Sequence, residues 1–134
     1  MRQIFRRLSQ VTSLDFLAYQ NKRVLANAKG RVVTHHDGLK LDFVETIFVG
    51  QTPSFDVKRF ELNDNLLYFY RKRAEVFELI AVFANENDQI ISKISHWCSP
   101  DCYSSTLSHQ DDTLMLHVIV KGRHKDEQIM WTYH

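Results

Sequence analysis

Proline and glycine are scarce, two and four residues respectively in a chain of 134. That scarcity excludes collagen-like and Pro/Gly-rich disordered compositions. No Ser/Gly-rich linker, internal repeat or low-complexity tract interrupts residues 1–134, so the chain reads as a single β-barrel domain. Charge of one sign is lacking too: Lys plus Arg number 17 against 16 Asp plus Glu. No global field therefore draws the protein to nucleic acid or to an anionic membrane, and neither is expected as a partner. No segment approaches the roughly 20 consecutive apolar residues of a membrane span. The stretch Met1 to Gln10, with Arg2, Arg6 and Arg7 around Ile4, Phe5 and Leu8, lacks the continuous apolar core of a signal peptide. A reducing, cytoplasmic location is the expectation. The two cysteines, Cys98 and Cys102, sit four apart around Pro100, too close for a stabilising long-loop disulfide, so free thiols are expected. Gly-rich phosphate loops, Gly-x-Ser-x-Gly elbows, His-Glu-x-x-His helices and nucleotide fingerprints are all missing, which sets aside catalysis by those motifs.

What remains is a chain with 44% hydrophobic and 25% charged residues, ordinary for a globular protein. Its length suffices to bury roughly two-thirds of the surface the unfolded form exposes. Turn signals recur at short intervals: His36-Asp37-Gly38, Gly50-Gln51-Thr52-Pro53, Asn63-Asp64-Asn65, Asn85-Glu86-Asn87-Asp88, Gln110-Asp111-Asp112 and Lys121-Gly122-Arg123. Between them strands are expected at about 2–10, 30–35, 39–49, 55–62, 66–71, 76–83, 89–96, 113–120 and 128–133. Ser13 to Asn27, with Ser13 as an N-cap candidate and apolar Leu14, Leu17, Ala18 and Leu25, is expected as a short helix or a covering loop. The stretch 71–83 fits either an amphipathic helix through Ala74, Phe77 and Ala81 or a strand with Phe77, Leu79, Ala81 and Phe83 on one face, and the strand is preferred. The sum is an all-β fold, an antiparallel up-and-down barrel of about eight to ten strands. A barrel of that size is either filled by side chains or holds one small ligand.

The alternation of strand side chains places particular polar groups on apolar faces. Leu39, Leu41, Phe43, Ile47 and Val49 share a face with Glu45; Phe55 and Val57 share one with Arg59; Ile90, Ser92 and Ile94 share one with His96. An interior carboxylate and an interior guanidinium on adjacent strands are expected to pair, since neither is tolerated alone in a low-dielectric core.

The order of segments resembles a family of small bacterial and fungal proteins with a lipocalin-like, calycin-type barrel and no assigned function. The resemblance covers most of the chain. It rests on Phe5-Arg6, Ala28-Lys29-Gly30, Leu41 to Glu45, and Phe55 to Arg59 with Phe60. It continues through His96-Trp97-Cys98-Ser99-Pro100-Asp101-Cys102-Tyr103, and through Val120 to Asp126 followed by Tyr133. Two departures stand out: Arg123 follows Gly122 where a proline is usual, and the chain ends at His134 where a barrel-closing terminal arginine is looked for. The resemblance implies a fold, and it draws attention to Arg6, Glu45, Arg59, His96, Cys98, Asp101, Tyr103, Lys125 and Asp126.

The densest chemistry is His96 to Tyr103, an imidazole, two thiols, a carboxylate and a phenol within eight residues. Metal binding by His96, Cys98 and Cys102 lacks the paired Cys-x-x-Cys hooks of zinc sites, and no metal is assigned. A Cys98 nucleophile with His96 as base lacks an oxyanion-holding loop. Haem held through His96 or His117 is an alternative, although His117 lies opposite Leu114, Leu116, Val118 and Val120. The basic cluster Lys121 to Lys125 is offset by Asp126 and Glu127. The leading expectation is non-enzymatic binding of a small, largely apolar molecule in the barrel interior, with Arg6, Glu45, Arg59, His96, Asp101, Tyr103 and Lys125 as candidate ligand-binding residues. The alternatives are an acid/base enzyme in the same pocket, with His96 or Glu45 as base, and a protein-interaction module, including a homodimer.

Overall fold

The computed structural model describes residues 1–87, 89–95 and 101–134, of which 93–95 are described as backbone. The N-terminus forms a helix, α1 (Arg2–Leu8). Ten strands follow: β1 (Ser13–Gln20), β2 (Arg23–Asp37), β3 (Lys40–Val49), β4 (Thr52–Asn63), β5 (Leu66–Arg73), β6 (Val76–Glu86), β7 (Gln89–Ser95), β8 (Cys102–Gln110), β9 (Thr113–Lys121) and β10 (Asp126–Tyr133). All pairings are antiparallel, and the sheet runs in the order β7-β6-β5-β4-β3-β2-β1-β10-β9-β8. Its two edges, β7 and β8, come alongside each other, giving a nearly closed, lipocalin-like up-and-down barrel. Closure covers the sheet edges that would otherwise template pairing with another chain.

The turns fall where the polar and glycine clusters stand. Gly38 and Gly50 take positive φ in the β2–β3 and β3–β4 hairpins, and Asp64, Asn65, Asn87 and Asp111 do so in three others. These residue types tolerate that region best. Two turns carried no such signal: Asn21 and Lys22 join β1 to β2, and Ala74 joins β5 to β6, all at positive φ.

Three expectations need correction. Residues 2–10 are helical over Arg2–Leu8, with Ile4, Phe5 and Leu8 buried on one side, the i, i+1, i+4 spacing of a helix face. Ser13 to Asn27 is neither helix nor covering loop but β1 and the start of β2. The segment after Pro100, to which no strand was assigned, is β8; Leu107 is its one large buried apolar side chain, and serines and polar residues hide its period.

The helix closes one end of the barrel. Phe5 meets the His36 ring edge-on at 5.4 Å, and the Arg7 guanidinium donates to the Asp111 carbonyl at 2.7 Å. Beneath α1 lies an aromatic ladder: Phe83 and Phe69 stack at 6.5 Å, Phe69 and Phe60 at 5.2 Å, and Phe43 meets both Phe60 and Tyr133 edge-on at 5.2 Å. Leu41, Leu67, Leu107, Leu114 and Leu116 complete a dry core around it. This half of the barrel is therefore filled, and what distinguishes the molecule is the other half.

Candidate functional site

Inward-facing positions along β3 are Leu41, Phe43, Glu45 and Ile47, all buried, as the alternation predicts for Glu45. On β4 the buried positions are Lys58, Phe60 and Leu62, while Phe55 is 70% exposed. The inward cation is thus Lys58, one residue from the expected Arg59. A one-residue change of phase moves every side chain to the opposite face. Arg59 points outward and forms a two-pronged pair with Asp42, Nε to Oδ1 at 2.7 Å and Nη2 to Oδ2 at 2.9 Å, with its guanidinium 3.9 Å above the Phe77 ring.

Lys58 donates to Glu45 Oε1 at 2.5 Å and to Asp56 Oδ2 at 2.9 Å, and its ammonium sits 3.9 Å above the Trp131 ring. Tyr133 donates its hydroxyl hydrogen to the other Glu45 oxygen at 2.5 Å. On β5 the inward Arg71 donates to Asp56 Oδ2 at 3.2 Å and lies 5.4 Å from the Trp131 ring. Arg73, two residues on, donates to the Tyr103 hydroxyl of β8 at 3.2 Å, and its Nε stands 3.5 Å from Glu78. The Arg73–Tyr103 bond links β5 to β8 on the side where β6 and β7 close the barrel onto β8.

Exposure rises along this chain of contacts. The side chains of Glu45 and Lys58 are 0% exposed, Asp56 15%, Arg71 26% and Arg73 55%. Glu45, Lys58, Trp131 and Tyr133 form a sealed floor, and Asp56, Arg71, Arg73 and Tyr103 climb from it toward the end opposite α1. Burial pushes the Glu45 carboxyl up, opposed by the Lys58 charge, and pushes the Tyr133 phenol well above its ordinary value. For Asp56, burial acts upward as well, but Lys58 and Arg71 outweigh it and hold the carboxyl below its ordinary range. Hydrogen bonding to Tyr103 raises the Arg73 guanidinium.

The walls above the floor are lined by small or incompletely covered groups. Ala18, Ala26, Ala28 and Gly30 turn inward on β1 and β2; Phe16 and Ile129 face the interior yet are only half-buried. Two buried polar atoms, Ser105 Oγ on β8 and Trp131 Nε1 on β10, have no hydrogen-bond partner among the described residues. Buried polar groups are rarely left in that state unless water or a ligand completes them.

The register of β6 shapes the rim. A bulge between the Phe69 and Tyr70 pairings inserts Ile80, so Ala81 and Phe83 face inward while Phe77 and Leu79 turn out. The single apolar face expected from Phe77 to Phe83 is therefore split, and Glu78 comes to lie opposite the inward Arg71.

Of the remaining candidate residues, Arg6 is exposed on α1, at the other end of the barrel from Arg71 and Arg73. Asp101 precedes β8, with Lys125 Nζ 3.6 Å from its carboxylate beside Gly122. Tyr103 stands at the rim. His96 and Cys98 lie outside the described residues. Cys102, expected as a free thiol, is in a disulfide, since a short loop limits how much such a bond stabilises and does not prevent it from forming. His117 lies on the outer face of β9, its ring 3.2 Å from Gln128 Oε1. Among the described residues no three metal-ligating side chains converge. The structure thus brings Glu45 and Tyr103 into one polar path and leaves Arg6 and Arg59 apart from it. Sequence reasoning missed Lys58, Asp56, Arg71 and Trp131, although Phe60 and Leu62 on the face of Lys58 carried the signal for the first two.

A solved structure with the same fold is that of an S-type phycobiliprotein lyase from Guillardia theta, with a TM-score of 0.67, 8% sequence identity, and alignment over 98% of this chain and 90% of that one. At that identity the likeness establishes the calycin-like fold. No curated protein matches the chain. A family model does, across residues 6–134, and the chain therefore belongs to the family of unknown function DUF6314.

Proposed function

We propose that this chain is a non-enzymatic binding protein that takes a small, largely apolar molecule into the cup above the Glu45–Lys58 floor. The observation that carries the reading is the set of inward-facing groups the chain itself leaves incompletely covered: Phe16, Ile129, Asp56, Arg71 and Tyr103. Small residues beside Phe16 and Ile129, Ala18 on β1 and Ala28 on β2, supply width. Pockets of this kind combine apolar walls with a few placed polar groups. The unpartnered Ser105 Oγ and Trp131 Nε1 are such groups. Binding is favoured over acid/base chemistry with Glu45 as base, because both of its oxygens already accept hydrogen bonds, from Lys58 and Tyr133. The fold is shared with a lyase named for phycobiliproteins, which makes a bilin a sensible probe.

The test is native mass spectrometry and a visible absorption scan on protein purified from its own host, followed by titration of the bare protein with biliverdin and with dodecanoic acid. A co-purifying small molecule, or saturable uptake of either probe with a change in tryptophan emission, supports the reading. Protein that arrives empty and takes up neither probe refutes it.

A further inference from the structure

Arg71 and Arg73 occupy successive inward positions on β5, so two guanidiniums stand one above the other on the same wall of the cup. Each is held by an acid on one side: Asp56 receives one Arg71 nitrogen at 3.2 Å, and Glu78 lies 3.5 Å from Arg73 Nε. A guanidinium carries five N–H donors in a rigid fork, and among the described residues Arg71 spends one of them in a hydrogen bond. The Asp56 oxygen it uses is shared with Lys58, so that carboxylate serves as an anchor for two cations. Tyr103 on β8 holds the Arg73 Nη2 edge, fixing the second fork at the rim. Trp131 lies beside Arg71, and its Nε1 hydrogen has no acceptor among the described residues.

The spare groups of Arg71 and Trp131 are donors, and the acids beside them, Asp56 and Glu78, already face cations. A neutral alcohol or amide uses one or two such donors, and an amine has to compete with Arg71 and Arg73 for those acids. A carboxylate matches the forks with both oxygens.

We propose that the ligand of this cup carries a carboxylate, received between the Arg71 and Arg73 guanidiniums while its apolar body lies against Phe16 and Ile129. This rests on the binding function proposed above and adds the chemical class of the ligand.

Two matched pairs of probes test it: dodecanoic acid against dodecanol, and biliverdin against its dimethyl ester, each titrated into the full chain by calorimetry or tryptophan quenching. In any pair that binds, the acid is expected to bind about tenfold or more tightly than its neutral partner. Arg71→Gln and Arg73→Gln are each expected to erase most of that difference, weakening the acid far more than its neutral partner. Arg71→Lys, which keeps the charge and removes the fork, is expected to fall between wild type and Arg71→Gln. Circular dichroism confirms that each variant is folded, and Arg73, at the exposed rim, supplies the reading if the Arg71 variants are not. Equal binding of acid and neutral probes overturns the carboxylate assignment and leaves the binding function standing. Failure of all four probes to bind overturns both.

Discussion

Lys58 and Glu45 stand thirteen residues apart on neighbouring strands and meet at 2.5 Å with neither side chain exposed to solvent. Removing one member of such a pair strands the other as an uncompensated charge, at a cost of about 3–5 kcal/mol. Lys58→Met should therefore lower the unfolding free energy by that order in urea denaturation. The double variant Lys58→Met with Glu45→Leu should be more stable than the sum of the single losses predicts, since it leaves no orphaned charge on the floor. Strict additivity would show that the two groups do not depend on each other.

Asp56 gives the fold a pH dependence of definite sign. Burial acts to raise its carboxyl, yet Lys58 and Arg71 hold it below its ordinary value of 3.8. A group whose folded pKa is depressed contributes stability that is present above the unfolded value and lost as pH falls through the folded one. Asp56→Asn is thus expected to be less stable than the natural protein at neutral pH, with the gap narrowing below about pH 4 as the natural carboxylate takes up its proton. A gap of constant size between pH 7 and pH 3 would mean that Asp56 does not act as an anion in the folded state.

Much of this arrangement could be read from the residues, and the failures have physical causes. The β3 alternation was unambiguous because Leu41, Phe43 and Ile47 frame Glu45. On β4 apolar residues occur in both phases, Phe55 and Val57 in one and Phe60 and Leu62 in the other. The structure resolves the choice: Phe60 packs between Phe43 and Phe69, whereas Phe55 has no partner inside the barrel and faces solvent. The bulge at Ile80 and the turn at Ala74 leave no signature in residue type, since both are set by how β5 and β6 fit the barrel's curvature. In the N-terminal segment Ile4, Phe5 and Leu8 are too few to exclude a strand by pattern alone, and their spacing fits a helical face better than alternation does. The floor of the cup is legible in Glu45, then, while its cation is one of two that the competing phases of β4 offer.

Arg59 supplies the complementary test. Facing outward, half-buried and paired with Asp42, it belongs to a part of the surface separate from the cup. Arg59→Ala removes a two-pronged pair and a contact with Phe77, and the expected cost is about 1 kcal/mol, since the pair is partly solvated. Its affinity for any cup ligand should equal that of the natural protein. A large loss of binding in a folded Arg59→Ala protein would place the ligand on the outer face of β4.

Two glycines separate what the barrel wall tolerates from what the rim tolerates. A Cβ on Gly30 would stand 2.5 Å from the backbone carbonyl oxygen of Thr46 on the paired strand and 3.2 Å from Leu14. A carbonyl in a ladder cannot swing aside, so β2 and β3 would have to separate at the level of the cup. Gly30→Ala is expected to cost about 1–3 kcal/mol through this overpacking, and to narrow or distort the wall formed with Ala28. At Gly122 the added carbon would meet Asp101 Oδ1 at 2.0 Å, a worse clash in distance but with the far end of a side chain. Asp101 can rotate away, giving up its pairing with Lys125, which is 3.6 Å long and half exposed on the lysine side. Such a pair is worth roughly 0–1 kcal/mol, so Gly122→Ala should be the milder change despite the shorter distance. Thermal unfolding of the two variants side by side decides it. If Gly122→Ala proved the more damaging, Asp101 would have to be a fixed element of the rim and not a group that can swing clear.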